Sequence, residues 1–269
     1  MPDTEFQDKV VVVTGAGSGI GLATARRFSE SGAMVGLNDV DPERAYDAAR
    51  ECNTAGGRCE PLVFDVTDSR SVDLAIDTFV AHEGRIDVLV NNAGMIRSVP
   101  GHGERRAAVM DRRAEGHAGG SLSVTVNTSD TLWREHMAVM LDGVFYGTRA
   151  ALRHMELQGF GAIVNTASIG AFYPAPDYPF YAAAKAGVVA FTRSVGHEVA
   201  GAGIRVNAVA PGSTATAIMA GTETGSFSSR NACGRIGRPE EIAETIAFLA
   251  SDRASYCFGE ILTVSGAWA

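Results

Sequence analysis

Tyr181 and Lys185 stand four residues apart in a stretch of helical spacing, which puts a phenol and an ammonium on one face of a helix. That pairing is an acid/base device. The positive charge favours phenolate and lowers a pKa of about 10 in solution toward the range where proton transfer is efficient. Ser168 follows the apolar run Ala162 to Thr166, and its hydroxyl can hold a substrate oxygen beside the phenol. The plainer reading is a core tyrosine with a lysine stem reaching toward solvent.

A second group of residues suits a dinucleotide. Thr14-Gly15-Ala16-Gly17-Ser18-Gly19-Ile20-Gly21 lies between a β-branched run, Val10 to Thr14, and a segment with helical apolar spacing. Glycines there let the backbone approach a pyrophosphate at the helix N-terminus, although a glycine-rich stretch alone is also an ordinary tight turn. Asp39, at the end of the next apolar run, is placed to bond the adenosine ribose hydroxyls and to repel a 2′-phosphate, which favours NAD over NADP. Ser18 supports that choice, because the loop offers no Arg or Lys there. As a bland alternative, Asp39 caps a helix or a turn beside Pro42. Asp65-Val66 and Asn91-Asn92-Ala93-Gly94 follow two further strands and fall at the same strand edge, where open α/β sheets bind ligands. Singly, Asp65 could cap a helix and the two asparagines could make a turn.

The elements that must position these groups alternate. Strands are expected at Met34 to Leu37, Cys59 to Phe64, Ile86 to Val90, Ala162 to Thr166, Arg205 to Val209 and Ile261 to Val264. Helices are expected from Ile20 to Gly32 and at Pro42 to Cys52, Ser69 to His82, Leu132 to Leu157 and Tyr181 to Val199. Continuous apolar strands alternating with helices imply a parallel sheet covered on both faces. Arg97 to Asp130, rich in Gly, Arg, Ser and Ala, interrupts the alternation as a flexible surface insert or a functional lid. Its Arg105, Arg106, Arg112 and Arg113 could recognise a carboxylate or phosphate, or could be solvated. Tyr173, Tyr178 and Phe180 could line an apolar pocket or belong to the core.

With 269 residues, one domain with a sizeable core is expected. A net charge of −8 opposes nucleic-acid binding, which needs clustered cations. Cys52, Cys59, Cys233 and Cys257 form neither a zinc motif nor a disulfide framework, which fits a reducing cytoplasm. The polar start and the absence of a long apolar run suggest no signal peptide and no membrane span. His102, His117, His136, His154 and His197 lack metal spacing and read as surface residues, and no metal is expected.

Together these motifs make the chain resemble the short-chain dehydrogenase/reductase family over nearly its whole length. The resemblance rests on TGAGSGIG at Thr14 to Gly21, NNAG at Asn91 to Gly94, Ser168, YAAAK at Tyr181 to Lys185, and Pro211-Gly212. It implies a Rossmann-like doubly wound parallel sheet in three layers, and hydride transfer between NAD and a secondary alcohol or ketone, bulky or cyclic and apolar. The implied roles are proton transfer for Tyr181, support of its pKa and of the nicotinamide ribose for Lys185, and orientation of the substrate oxygen for Ser168. Gly15, Ser18, Gly19, Ile20, Gly21, Asp39, Asp65, Val66, Asn92, Ala93, Gly94, Pro211, Gly212, Thr214 and Thr216 would hold the cofactor. The family resemblance also implies a substrate flap at about 212–233, with Ile218, Met219 and Phe227 as apolar anchors, and a homotetramer. Where the family usually carries an Asn that supports a water relay from the lysine, this chain has Met140. A thioether cannot donate a hydrogen bond, so either backbone carbonyls and water carry the relay or turnover is weakened and the chain binds dinucleotide as a sensor.

Overall fold

The protein is described by a computed structural model over residues 4–216 and 231–268. Seven parallel strands form one sheet: β1 (Val10–Val13), β2 (Met34–Asp39), β3 (Arg58–Val63), β4 (Val88–Asn91), β5 (Gly161–Thr166), β6 (Ile204–Pro211) and β7 (Ile261–Val264). Their order is β3-β2-β1-β4-β5-β6-β7. The direction of winding reverses between β1 and β4, so the carboxyl ends of these strands open a crevice.

Helices cover both faces. On one lie α1 (Gly19–Glu30), α2 (Pro42–Thr54) and a helix at Pro239–Ala250, numbered α9 below, whose Ala25, Phe28, Ala48, Ile242 and Ile246 pack on Val11, Val13, Val35 and Val164. On the other lie α3 (Ser69–Glu83), α7 (Gly143–Gln158) and α8 (Pro179–Val199), with Ile76, Ala151, Met155 and Val195 against Val12, Leu89, Ile163 and Val206. Neighbouring strand residues thus feed opposite cores, which explains the unbroken apolar runs. The three-layered doubly wound sheet matches the expected fold.

Some elements depart from expectation. The segment between β4 and α7 is not irregular: it contains α4 (His102–Ala114), a single turn α5 (Val124–Asn127) and α6 (Asp130–Met137). His102 and Val109, seven residues apart, anchor one face of α4, while its other positions are mostly exposed, so low overall hydropathy conceals a short amphipathic helix. The single long helix expected from Leu132 is divided by a π-turn over Ala138–Asp142, with Met140 fully buried in it. Helix α9 goes beyond the expected elements. Its signals are Pro239 at the first position, Glu240 and Glu241 in the first turn, and a box in which Glu241 bonds the Arg238 amide. Its far end meets a buried cation: Arg205 on β6 donates to the carbonyls of Leu249, Ala250, Ser251 and Ala254 at 2.6 to 3.1 Å. Among the described residues, no helix is long and apolar enough to cross a membrane.

Candidate active site

At the crevice between β1 and β4 the chain narrows around glycine. Gly15 has φ +60, and a Cβ there would lie 2.7 Å from the Ala93 Cα. A Cβ on Gly21 would run into the Gly15 carbonyl and the Asn92 amide. Asn92 holds the turn by donating Nδ2 to the carbonyls of Thr14 and Gly15, at 3.1 and 3.0 Å, and the Asn92 and Ala93 amides donate to the Thr14 hydroxyl. Gly19, Ile20 and Gly21 open α1, where amides lack intrahelical acceptors, and Ser18 makes no side-chain capping bond. A bare backbone cradle with free amides fits a pyrophosphate.

Asp39 is buried at the end of β2. Its carboxylate accepts from the Gly17 amide at 3.2 Å and from the Asp41 amide at 3.0 Å. It does not cap α2: that role falls to Asp41, which accepts from Glu43 and Arg44. Asp39 therefore faces the glycine loop. The exposed Asp65 accepts from the amide and hydroxyl of Thr67, both at 2.8 Å, in a local turn. It does not cap α3 either, because Asp68 does so, and its neighbour Val66 is buried against Gly143.

The reacting groups assemble at the end of β5, the strand next to β4. Ser168 follows β5, and its Oγ accepts from the Gly170 amide at 3.1 Å. Tyr181 and Lys185 lie on one face of α8, as their spacing requires. A hydrogen bond from the Ser168 side chain favours the Tyr181 phenolate, but burial outweighs it and pushes the phenol above its ordinary value. Lys185 is buried, donates Nζ to the Thr166 carbonyl at 2.7 Å, and sits 5.9 Å from the Tyr181 ring centroid. Desolvation lowers its pKa from 10.5 to about 8. In this structure burial is the dominant influence on both groups.

The two halves meet at Gly94, where a Cβ would lie 3.9 Å from Lys185 Nζ, and at Gly19, where one would lie 3.2 Å from Thr216 Cγ2. Pro211 ends β6, the Gly212 amide bonds the Val264 carbonyl at 2.9 Å, and Thr214 Oγ1 bonds the Gly212 carbonyl at 3.0 Å. The structure thus gathers most of the expected cofactor residues on one edge. Residues 217–230 of the expected flap, including Ile218, Met219 and Phe227, lie outside the described residues.

Further contacts link these elements behind the crevice and beside Tyr181. Asn91 Nδ2 donates to Thr148 Oγ1 and Asn165 Oδ1, and Asn165 Nδ2 donates to Thr192 Oγ1, a buried chain joining β4, α7, β5 and α8. Asn91, expected at the ligand-binding strand edge, points its side chain into this buried chain instead. His102 and His136 are buried, contrary to expectation, while His117 and His197 are exposed. His102 Nε2 and Arg106 Nε both approach Asp177 Oδ1, at 3.2 and 3.4 Å, and Arg105 bonds the carbonyls of Pro100 and Leu122. Two of the four insert arginines are therefore tied within the protein, whereas Arg112 and Arg113 are exposed. These contacts join the insert to the loop before Tyr181. Val99, Val124, Phe180, Tyr178, Leu122 and Leu132 form an apolar cluster against Tyr181, so this wall is apolar. A further grouping, Glu60, His82 and Glu83, was not expected, but its histidine is exposed and the ring already faces both carboxylates.

A family model described as enoyl-(acyl carrier protein) reductase matches residues 15–268. The chain is 43% identical over 266 residues to a cis-4-hydroxycyclohexanecarboxylate dehydrogenase of Sinomonas cyclohexanicum, covering 98% of this chain and 97% of that one. It is 36% identical to a 3-oxoacyl-(acyl-carrier-protein) reductase of Thermotoga maritima, covering 97% and 98% of the two. Among solved structures, a short-chain type dehydrogenase/reductase from Mycobacterium marinum superposes with a TM-score of 0.85 at 27% identity, covering 98% of this chain and 96% of that one.

Proposed function

Because this chain belongs to the short-chain dehydrogenase/reductase family, whose dehydrogenases use a nicotinamide cofactor, we propose that it is an NAD-dependent dehydrogenase for a cyclic secondary alcohol. The observation that carries the reading is the placement of Ser168, Tyr181 and Lys185 beside the glycine-lined crevice, with an apolar wall over Tyr181. When bound, the nicotinamide accepts or returns a hydride. The chain's own part is the proton. Tyr181 takes it from the alcohol oxygen or gives it to the ketone oxygen, Ser168 holds that oxygen, and the Lys185 ammonium favours the phenolate. Gly15, Ser18, Gly19, Ile20, Gly21, Asn92, Ala93 and Gly94 would hold the dinucleotide on one side, and Pro211, Gly212, Thr214 and Thr216 on the other.

The ring preference is supported by the apolar cluster Val99, Val124 and Phe180 and by the 43% identical relative, which acts on a hydroxylated cyclohexane ring. Met140 cannot serve a relay as an amide would, and the π-turn that contains it alters the i to i+4 pattern of carbonyl bonding there. Backbone carbonyls with water are therefore the proposed relay. The intact trio argues against a protein that only senses dinucleotide. The test is a panel of cyclohexanols, linear secondary alcohols and 3-oxoacyl thioesters assayed with both cofactors. Ring alcohols with NAD are expected to be fastest, and a preference for linear acyl substrates would overturn the ring assignment.

Asp39 supports the choice of NAD, since its carboxylate is aimed into the glycine loop where a 2′-phosphate would stand. Asp39→Ala is expected to weaken NAD binding by about tenfold or more, equivalent to ~1.4 kcal/mol, and to narrow the gap to NADP. Titration calorimetry with both cofactors checks this, and equal affinities in the parent would contradict the assignment.

A further inference from the structure

His136 lies in the last turn of α6 and is fully buried. Its Nε2 receives the Arg97 backbone N–H at 3.2 Å, and an amide can only donate, so that nitrogen carries no proton. The proton is therefore on Nδ1, which donates to the Leu132 carbonyl at 2.7 Å. Both nitrogens of a neutral ring are used. The ring also packs on Phe180, with centroids 4.4 Å apart, and Phe180 immediately precedes Tyr181 in α8.

One side chain thus links three parts of the site. Arg97 lies three residues beyond Gly94, the point at which the cofactor edge comes within 3.9 Å of Lys185 Nζ. Leu132 belongs to the apolar cluster over Tyr181. Phe180 sets the entry of the helix that carries Tyr181 and Lys185. An aliphatic residue could fill the same volume. It could not span the loop after β4 and the α6 backbone with two directed bonds.

We propose that His136 is a positioning residue that sets the distance between the cofactor edge and the Tyr181 phenol. The inference rests on the reading of Tyr181 as the acid/base group. The geometry required is strict, because a displacement of about 1 Å can cost a hundredfold in rate. Tight binding of the adenosine half, made at the glycine loop and Asp39, lies outside this linkage.

The test compares the full-length parent with His136→Phe, which keeps a ring but loses both bonds, and His136→Gln, whose amide oxygen can accept from Arg97. With a carbinol-deuterated ring alcohol and NAD at saturation, His136→Phe is expected to lose between about tenfold and a hundredfold in kcat. Its deuterium isotope effect should rise and its NAD affinity should stay within about threefold, while His136→Gln recovers most of the rate. If His136→Phe does not fold, His136→Asn serves instead, since its short amide can donate to Leu132 but does not reach Arg97, and the same fall is expected. A variant that folds, loses only thermal stability and keeps kcat within about twofold overturns the proposal, as does equal impairment of His136→Phe and His136→Gln. Tyr181→Phe is assayed alongside: parent-like turnover there would defeat the reading of Tyr181 itself, whereas an inactive Tyr181→Phe with an unimpaired His136→Phe defeats this inference alone.

Discussion

Replacing Tyr181 by Phe is expected to lower kcat by about a hundredfold to ten-thousandfold, the range that a positioned acid or base contributes. Fold and cofactor binding should persist. The change deletes one oxygen from α8 and its bond with Ser168, and leaves Asp39 and the glycine loop untouched. The same reading fixes a sign for pH. Burial holds the phenol above its ordinary value, so at neutral pH Tyr181 is protonated and ready to donate to a ketone. Raising the pH increases the phenolate that accepts the alcohol's proton. Alcohol oxidation should therefore climb toward alkaline pH while ketone reduction falls, and both trends should vanish in Tyr181→Phe. Steady-state rates in both directions check this.

Lys185→Met is expected to lose activity on a similar scale, about a hundredfold or more, without losing stability. Lys185 is buried, and its pKa is lowered from 10.5 to about 8 by desolvation. At ~1.4 kcal/mol per pKa unit, keeping the ammonium folded costs roughly 3 kcal/mol at neutral pH. Below about 8 both states hold the proton, so the cost is fully present. Between about 8 and 10.5 the unfolded chain binds more protons than the folded one, so stability rises with pH in that window. Methionine removes the cost and forfeits one bond to the Thr166 carbonyl, about 1 kcal/mol. Urea unfolding near neutral pH should find the variant at least as stable as the parent, and the parent alone should gain stability on going alkaline. A variant weaker by more than about 2 kcal/mol would contradict this account of the buried charge.

Much of this arrangement was legible in the sequence, because strand runs and glycine spacing are local signals. Thr14 to Gly21, Asn91 to Gly94 and the Tyr181–Lys185 spacing each describe their own neighbourhood, and the sheet order brings them to one edge. What escaped depends on distant partners. His102 looks like a surface residue until Asp177, 75 positions away, is placed against it, and His136 until Arg97 and Phe180 enclose it. The insert looked irregular because Arg and Gly hide the two buried anchors, His102 and Val109, that give α4 its inner face. The π-turn at Met140 escaped because Ala138–Asp142 carries neither Gly nor Pro to mark a break within the apolar helical stretch.

The most direct test of the central claim follows the hydride itself. The protein is mixed with NAD and a cyclohexanol bearing deuterium on the carbinol carbon, and the reduced cofactor is examined by mass spectrometry and proton NMR. The account predicts one deuterium per reduced nicotinamide, at C4 and on a single face, with the matching cyclic ketone as product. Reduced cofactor without the label, or bound NAD that no secondary alcohol reduces, would contradict it.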